Sequence, residues 1–407
     1  MTEALKNYLT VTFGYWAFTI TDGAIRMLVV LYFHQLGYSP FEVAMLFLFY
    51  EFFGVVTNLV GGWLGARIGL NNTMHIGMVM QIAALMMLTV PDAWLGVAYV
   101  MAAQALSGIA KDLNKMSAKA SVKKITKEGA DASLFKWVAI LTGSKNALKG
   151  AGFFVGATLL ATLEFRGALY ALSGLLTVAL ITTWILLPND LGKAKSKAKF
   201  SQVFSNTPAI NWLSAARFFL FGARDIWFVV ALPVYFYEIL GWSFTQIGGY
   251  MATWVIGYGF VQASAPGILG INKKGHAPQG SSARNWALIL IAAPALLALA
   301  LQQEWPADWV VTGGLMIFGV LFALNSAVHS YLILAYSDND KVSMNVGFYY
   351  MSNAGGRLLG TVMSGAIYQW QGLEGCLWWS SAMVLIAALL SFKLPPVSKP
   401  DKQTNTA

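Results

Sequence analysis

Charge and cysteine are what this sequence has least of. Only 11% of the residues are Asp, Glu, Lys or Arg, against about 25% in soluble domains. The single cysteine, Cys376, excludes an internal disulfide and a cysteine-based metal site. No HExxH, GxSxG, phosphate-binding loop or paired-carboxylate constellation occurs, and no polar stretch is long enough for a sizeable soluble domain. An enzyme or a membrane sensor is therefore not expected: the sequence offers no catalytic residue, metal ligand set or cofactor motif. The opening MTEALKNYL lacks a basic segment and a small-residue cleavage site, so the first apolar run is expected to stay attached.

What remains is apolar and runs from end to end. Of 407 residues 57% are hydrophobic, the mean hydropathy is +0.59, and stretches of the about 20 residues needed to cross a bilayer recur throughout. Candidate spans fall at roughly 8–35, 41–66, 73–90, 94–118, 133–162 and 167–187. Six more follow at roughly 208–240, 244–270, 286–301, 309–335, 342–368 and 375–394. The pattern predicts an all-α polytopic membrane protein with twelve transmembrane helices.

The net charge of +9 does not point to nucleic acid, because the basic residues alternate from one connection to the next. Lys119, Lys123, Lys124 and Lys127 follow the fourth span, and Lys193, Lys195, Lys197 and Lys199 follow the sixth. The connections 37–40, 91–92 and 164–166 hold Arg166 alone. Positive residues mark the cytoplasmic side, which places both termini there.

The basic stretch 191–207 reads as a cytoplasmic linker between a bundle at 1–190 and a second at 208–394, with a tail at 395–407. An internal repeat agrees. LGYSPFEV at 36–43 is matched by LGWSFTQI at 240–247, an offset of 204 residues, and GGWLG at 61–65 by PGILG at 266–270. Two such six-helix bundles are the architecture of major facilitator transporters. The run Gly62-Trp63-Leu64-Gly65-Ala66-Arg67-Ile68-Gly69-Leu70-Asn71 also resembles that superfamily's signature loop. Gly62, Gly65 and Gly69 allow a tight gating turn, and Arg67 can cap carbonyls or pair with an acid. Ala66 replaces the pattern's aspartate and Leu70-Asn71 its basic pair, so the turn is expected here without the usual charge relay.

Charges inside the spans carry the function, since each costs at least about 2.5 kcal/mol at the bilayer centre and normally faces a bundle interior or a watered cavity. Asp22 and Arg26 are spaced i,i+4 in the first span and can pair, with Tyr15 and Thr19 on the same face. Glu51 lies mid-way along the second span. Burial favours its protonated form and makes it the leading acid for proton coupling, the alternative being a salt bridge to a lysine. Gln104, Gly108, Lys111 and Lys115 share one face of the fourth span, where Lys115 and Lys119 can snorkel while Lys111, next to Asp112, lies deeper. Lys145 and Lys149 stand one turn apart in the fifth span, and Gly152 and Gly156 continue their stripe as a packing face. Arg217 and Arg224 share a face of the seventh span, with Asp225 beside Arg224. Arg357 lies mid-way along the eleventh, with Tyr350, Asn353 and Ser364 on its side. His329, in the tenth, is a packing element or a proton relay.

The deep basic residues Arg26, Lys111, Lys145, Lys149, Arg217, Arg224 and Arg357 outnumber the acids Asp22, Glu51, Asp112 and Asp225. Such a cavity suits a multiply charged organic anion, to which arginine offers bidentate geometry and lysine a point charge. Tyr15, Trp16, Trp137 and Trp227 can pack its carbon portion, while most aromatics face membrane lipid.

The stretches GYWAFTITDGAIRMLVVLYFHQLGYSPFEVAMLFLFYEFFGVVTNLVGGWLGARIGLN and AQALSGIAKDLNKMSAKASVK are similar to the ArsJ-type organoarsenical efflux permeases of the major facilitator superfamily. The resemblance covers essentially the whole chain. It implies a permease of the bacterial inner membrane that exports 1-arseno-3-phosphoglycerate, formed by a cytosolic glyceraldehyde-3-phosphate dehydrogenase when arsenate replaces phosphate. The ester decays outside to arsenate, so export gives resistance. Two other readings stand beside it: a carrier or phosphate antiporter of another organophosphate or sugar phosphate, and a proton-coupled multidrug exporter. For the last, Gly152-x-x-x-Gly156-Ala157 has Phe153 where the antiporter motif has proline, and cationic drugs prefer the opposite charge surplus.

Overall fold

The computed structural model describes residues 3–68, 70–122, 131–187, 207–269, 278–337 and 342–397. The linker at 191–206, Gly69, His276 and the loop lysines Lys123, Lys124, Lys127, Lys193, Lys195, Lys197 and Lys199 lie outside them, as do the side chains of Lys119, Trp137 and Arg67 and the surroundings of Gly62 and Gly65. The helices are α1 (Glu3–Gln35), α2 (Pro40–Leu46), α3 (Leu48–Ile68), α4 (Leu70–Met87), α5 (Val97–Val122) and α6 (Asp131–Leu186). They continue with α7 (Pro208–Phe228), α8 (Ala231–Glu238), α9 (Phe244–Ile268), α10 (Gly280–Gln302), α11 (Ala307–Ala335) and α12 (Val342–Ser391).

Among the described residues, twelve passes follow from where these helices break. The 56 residues of α6 are too long for one crossing, and the chain reverses at Glu164, whose φ is 57°. Likewise the 50 residues of α12 turn back at Gly372, with φ 65°. Two pairs of helices, α2 with α3 and α7 with α8, instead form single broken passes. Pro233 has no N–H to donate back to Val229, so the helix opens there, and Ser364 Oγ accepts from the freed N–H groups of Val230 and Ala231 at 3.3 and 3.1 Å. By length and hydropathy, seven helical stretches of the described residues can cross a membrane, the two reversed helices among them. The ninth pass is longer than its hydropathy suggests: α10 begins at Gly280, and Pro294 lies inside it. At the signature run 62–71, where a tight turn is expected, α3 stays helical to Ile68 and α4 begins at Leu70.

The repeat in sequence is a repeat in structure. Gly37 and Gly241, at the 204-residue offset, both take a positive φ, 90° and 64°. The serines that follow cap the next helices in the same way. Ser39 accepts from the Glu42 N–H and Ser243 from the Gln246 N–H, with the reciprocal bonds closing both capping boxes.

The same offset reaches the helices that carry the site. Gly156 lies so close to Ala24 of α1 that a Cβ would strike the Ala24 carbonyl oxygen, and Gly152 does the same to Ile20. In the second half Gly356 stands against the Phe218 carbonyl of α7. With no hydrophobic drive between helices in lipid, such backbone contact supplies the packing attraction. The fifth pass is thereby seated on the first, and the eleventh on the seventh.

Candidate functional site

The close crossings bring charges from both halves to one place. Arg26 on α1 donates from Nη2 to Glu51 Oε1 on α3 at 2.6 Å. Arg357 on α12 donates to the same oxygen at 2.7 Å and, through Nε, to Asp225 Oδ2 on α7 at 3.1 Å. Arg224 Nε completes the series on Asp225 Oδ1 at 2.6 Å. The result is an alternating ladder, Arg26–Glu51–Arg357–Asp225–Arg224, whose middle link joins residues from the two halves of the chain. Both acids are buried, Glu51 at 1% and Asp225 at 0% exposure. Buried charges persist in this way only when paired and hydrogen-bonded.

This differs from the pairing expected from spacing. Asp22 and Arg26 share a face of α1, but Arg26 reaches across to Glu51 while Asp22 accepts from the Tyr50 hydroxyl at 2.6 Å. Among the described residues the Glu51 side chain pairs with two guanidinium groups rather than with a lysine. Asp112 pairs with Lys115 at 3.3 Å and not with adjacent Lys111, because i,i+3 neighbours face each other on a helix and i,i+1 neighbours do not. Lys115 also donates to Asn58 at 3.0 Å, so it is held inside the bundle rather than snorkelling.

Lys111 and Lys149 are placed otherwise. Gly108 lets α5 ride against the Tyr50 backbone, and one turn on the Lys111 ammonium sits 4.0 Å from the centre of the Tyr50 ring. Lys149, next to the Gly152 crossing, has Phe153 beneath it at 5.9 Å. Among the described residues neither lysine makes an ion pair. Lys145 lies one turn before Lys149 and is half-buried.

Arg217 occupies a neighbouring position in the second half. It donates from Nε to Asn353 Oδ1 at 2.9 Å and from Nη1 to Ser326 Oγ at 3.0 Å. Its guanidinium and that of Arg224 lie 3.9 and 5.1 Å from the Phe221 ring, so one aromatic separates the two. His329 is buried near it with Nδ1 unpartnered. Tyr15 packs into an apolar cluster with Val11, Phe18, Met74 and Met78. Trp227, read as a possible wall for the ligand, is wholly enclosed by Trp254, Phe318 and Phe228. Trp16 is partly exposed and donates to Ser144 at 3.0 Å.

The halves also meet at the end that carries the paired capping boxes. His34 Nε2 lies 3.1 Å from Glu238 Oε1, residues related by the same 204-residue offset. The Phe41 N–H donates to Gln369 at 3.3 Å beside the contact of Gly365 with Pro40. That end is closed.

Comparison with known proteins decides the family. The Major Facilitator Superfamily model matches residues 11–276. The chain belongs to the major facilitator superfamily. Solved structures agree on the fold of this superfamily member. A structure of a proton-dependent oligopeptide transporter is similar with a TM-score of 0.70 at 15% identity, over 95% of this chain and 97% of that one. A bacterial homologue of the iron transporter ferroportin, in an outward-facing state, gives 0.64 at 16% over 97% and 99%. A peptide transporter in complex with sulfate gives 0.74 at 14% over 96% and 93%. No curated protein matches the chain. This superfamily member is thus a multi-pass membrane transporter, a class to which its charged interior is suited.

Tyr50 belongs to the candidate site without carrying a charge. It binds Asp22 and underlies Lys111, and its one signal is its place beside Glu51 in an apolar run.

Proposed function

We propose that this transporter exports 1-arseno-3-phosphoglycerate from the cytoplasm of a bacterial cell across its inner membrane, and so confers resistance to arsenate. The observation that carries the reading is the surplus of interior cations. Four acids at the centre, Asp22, Glu51, Asp112 and Asp225, are each committed to a partner, and among the described residues Lys111 and Lys149 form no ion pair with a carboxylate. A short-chain ester with an oxyanion at each end supplies the missing negative charge. The resemblance of the first and fourth passes to the ArsJ-type permeases names that ester among other organophosphates.

In this mechanism the two bundles rock about the ladder. The end bearing His34 and Glu238 is the outer one by the distribution of lysines, and substrate enters from the cytoplasm when the opposite end is open. A glyceraldehyde-3-phosphate dehydrogenase makes the substrate and is a functional partner without needing contact.

Arsenic accumulation in arsenate-treated, efflux-deficient bacteria tests the reading, with and without an overproduced dehydrogenase. Accumulation is expected to fall only when transporter and dehydrogenase are both present. A fall with the transporter alone, in cells lacking the enzyme, assigns arsenate or another anion instead. No fall in either case removes arsenic and leaves an organophosphate carrier.

A further inference from the structure

The ladder has a feature that a simple binding site does not need. One oxygen of Glu51 takes guanidinium groups from both halves, Arg26 from the first and Arg357 from the second. Lys149 counts Arg26, Arg357 and Lys111 among its charged neighbours, with Asp22 as the acid. Lys111 adds Glu51 and Arg357 to the same group. Arg26, Arg357 and Lys111 therefore face one carboxylate, Glu51, that bridges the halves, and Lys149 stands beside them with Asp22.

We propose that Glu51 is a resident stand-in for the transported anion. In the empty carrier it occupies Arg26 and Arg357, and an oxyanion arriving between Lys111 and Lys149 displaces it from them. A phosphate-type group carries up to two charges and several acceptor oxygens, so it outcompetes one carboxylate for two bidentate guanidiniums once the lysines hold it nearby. The exchange keeps both arginines neutralised in either state. It also replaces a tie made by the protein with a tie made through the ligand.

A consequence for the transport cycle follows from the charge balance. Without the Glu51 charge the empty site sets Arg26, Arg357, Lys111 and Lys149 against Asp22, Asp112 and Asp225, with Arg26 left without its carboxylate, and closing around that surplus of cations is unfavourable. Glu51 removes that barrier, so the carrier returns empty and performs net efflux without a counter-anion. Removing the Glu51 charge leaves a carrier that reorients only when loaded, an obligatory exchanger.

This inference rests on reading the chain as an anion carrier, but not on the arsenic assignment. The test uses the full chain reconstituted in liposomes, with 3-phosphoglycerate and inorganic phosphate as probes. Glu51→Gln is expected to tighten probe binding by about fivefold or more, to lose net efflux, and to keep exchange against probe on the far side. Lys149→Ala is expected to weaken binding by about tenfold and to lower both activities together. Should Glu51→Gln fail to insert, Glu51→Asp, which withdraws the carboxylate by one methylene, reads the same sign at smaller size. Weakened binding in either Glu51 variant, or loss of exchange along with net efflux, overturns the proposal. A wild-type protein that binds neither probe overturns it together with the anion reading. Probe transport in the wild type without an arsenic effect in cells removes the arsenic ester alone.

Discussion

Arg357→Ala is expected to reduce export to background while the protein still reaches the membrane. Arg357 is the rung that joins the halves, since it donates to Glu51 at 2.7 Å and to Asp225 at 3.1 Å. Its loss leaves two buried carboxylates with one arginine each, Arg26 and Arg224, in place of a continuous alternating series. Breaking a buried pair from one side costs about 3–5 kcal/mol, and the retained arginines place this case near the lower end. The transport defect is larger than the stability defect, because the guanidinium belongs to the cavity that must attract the anion. Efflux from vesicles, normalised to membrane-inserted protein, separates the two. Arg357→Lys restores the charge without the fork and reaches one acid at a time, so partial activity is expected. Arg26→Ala and Arg224→Ala are expected to abolish efflux as well. Normal efflux by all three variants would exclude the basic cavity as the transport site.

Gly356→Val is expected to prevent stable folding. A Cβ at this position meets the Phe218 carbonyl oxygen and Cα, which are backbone atoms that no rotamer change can move aside. The helices must separate, and overpacking of this kind costs about 1–3 kcal/mol or more. Because α12 carries Arg357 and α7 carries Asp225, the same displacement stretches the ladder. Thermal unfolding in detergent is expected to fall by many degrees, or the protein to be lost from the membrane. The control is Gly313→Ala on α11, where nothing lies within 4 Å of the added methyl. There a small gain in stability is expected, since alanine is the better helix former by about 1 kcal/mol. Equal stability of the two variants would show that backbone contact between α7 and α12 does not hold the second half together.

The sequence alone determined the class, the number of passes and their pairing into two repeats, because these depend on local quantities. Hydropathy over about 20 residues decides what crosses a membrane. Turn chemistry at Gly37-Tyr38-Ser39 and Gly241-Trp242-Ser243 recurs wherever the same backbone is needed. The presence of charges within the spans was equally legible, since each of them is conspicuous in an apolar run. The repeat extends further than its loops suggest, to Gly152 and Gly156 against Gly356 and Gly360. A scan at the 204-residue offset reveals those pairs.

Only the tertiary structure decided which charge meets which. Spacing on one helix brings Asp22 and Arg26 to a common face, yet the guanidinium finds its acid 25 residues away, and Arg357 reaches the same acid over 306 residues. The energy of a buried pair depends on distance, desolvation and the remaining hydrogen bonds, none of which helical periodicity encodes. Those terms were set when glycines let α6 close on α1 and α12 close on α7. Among the described residues two lysines were thereby left without an ion pair, and five charges became a bridge between the halves.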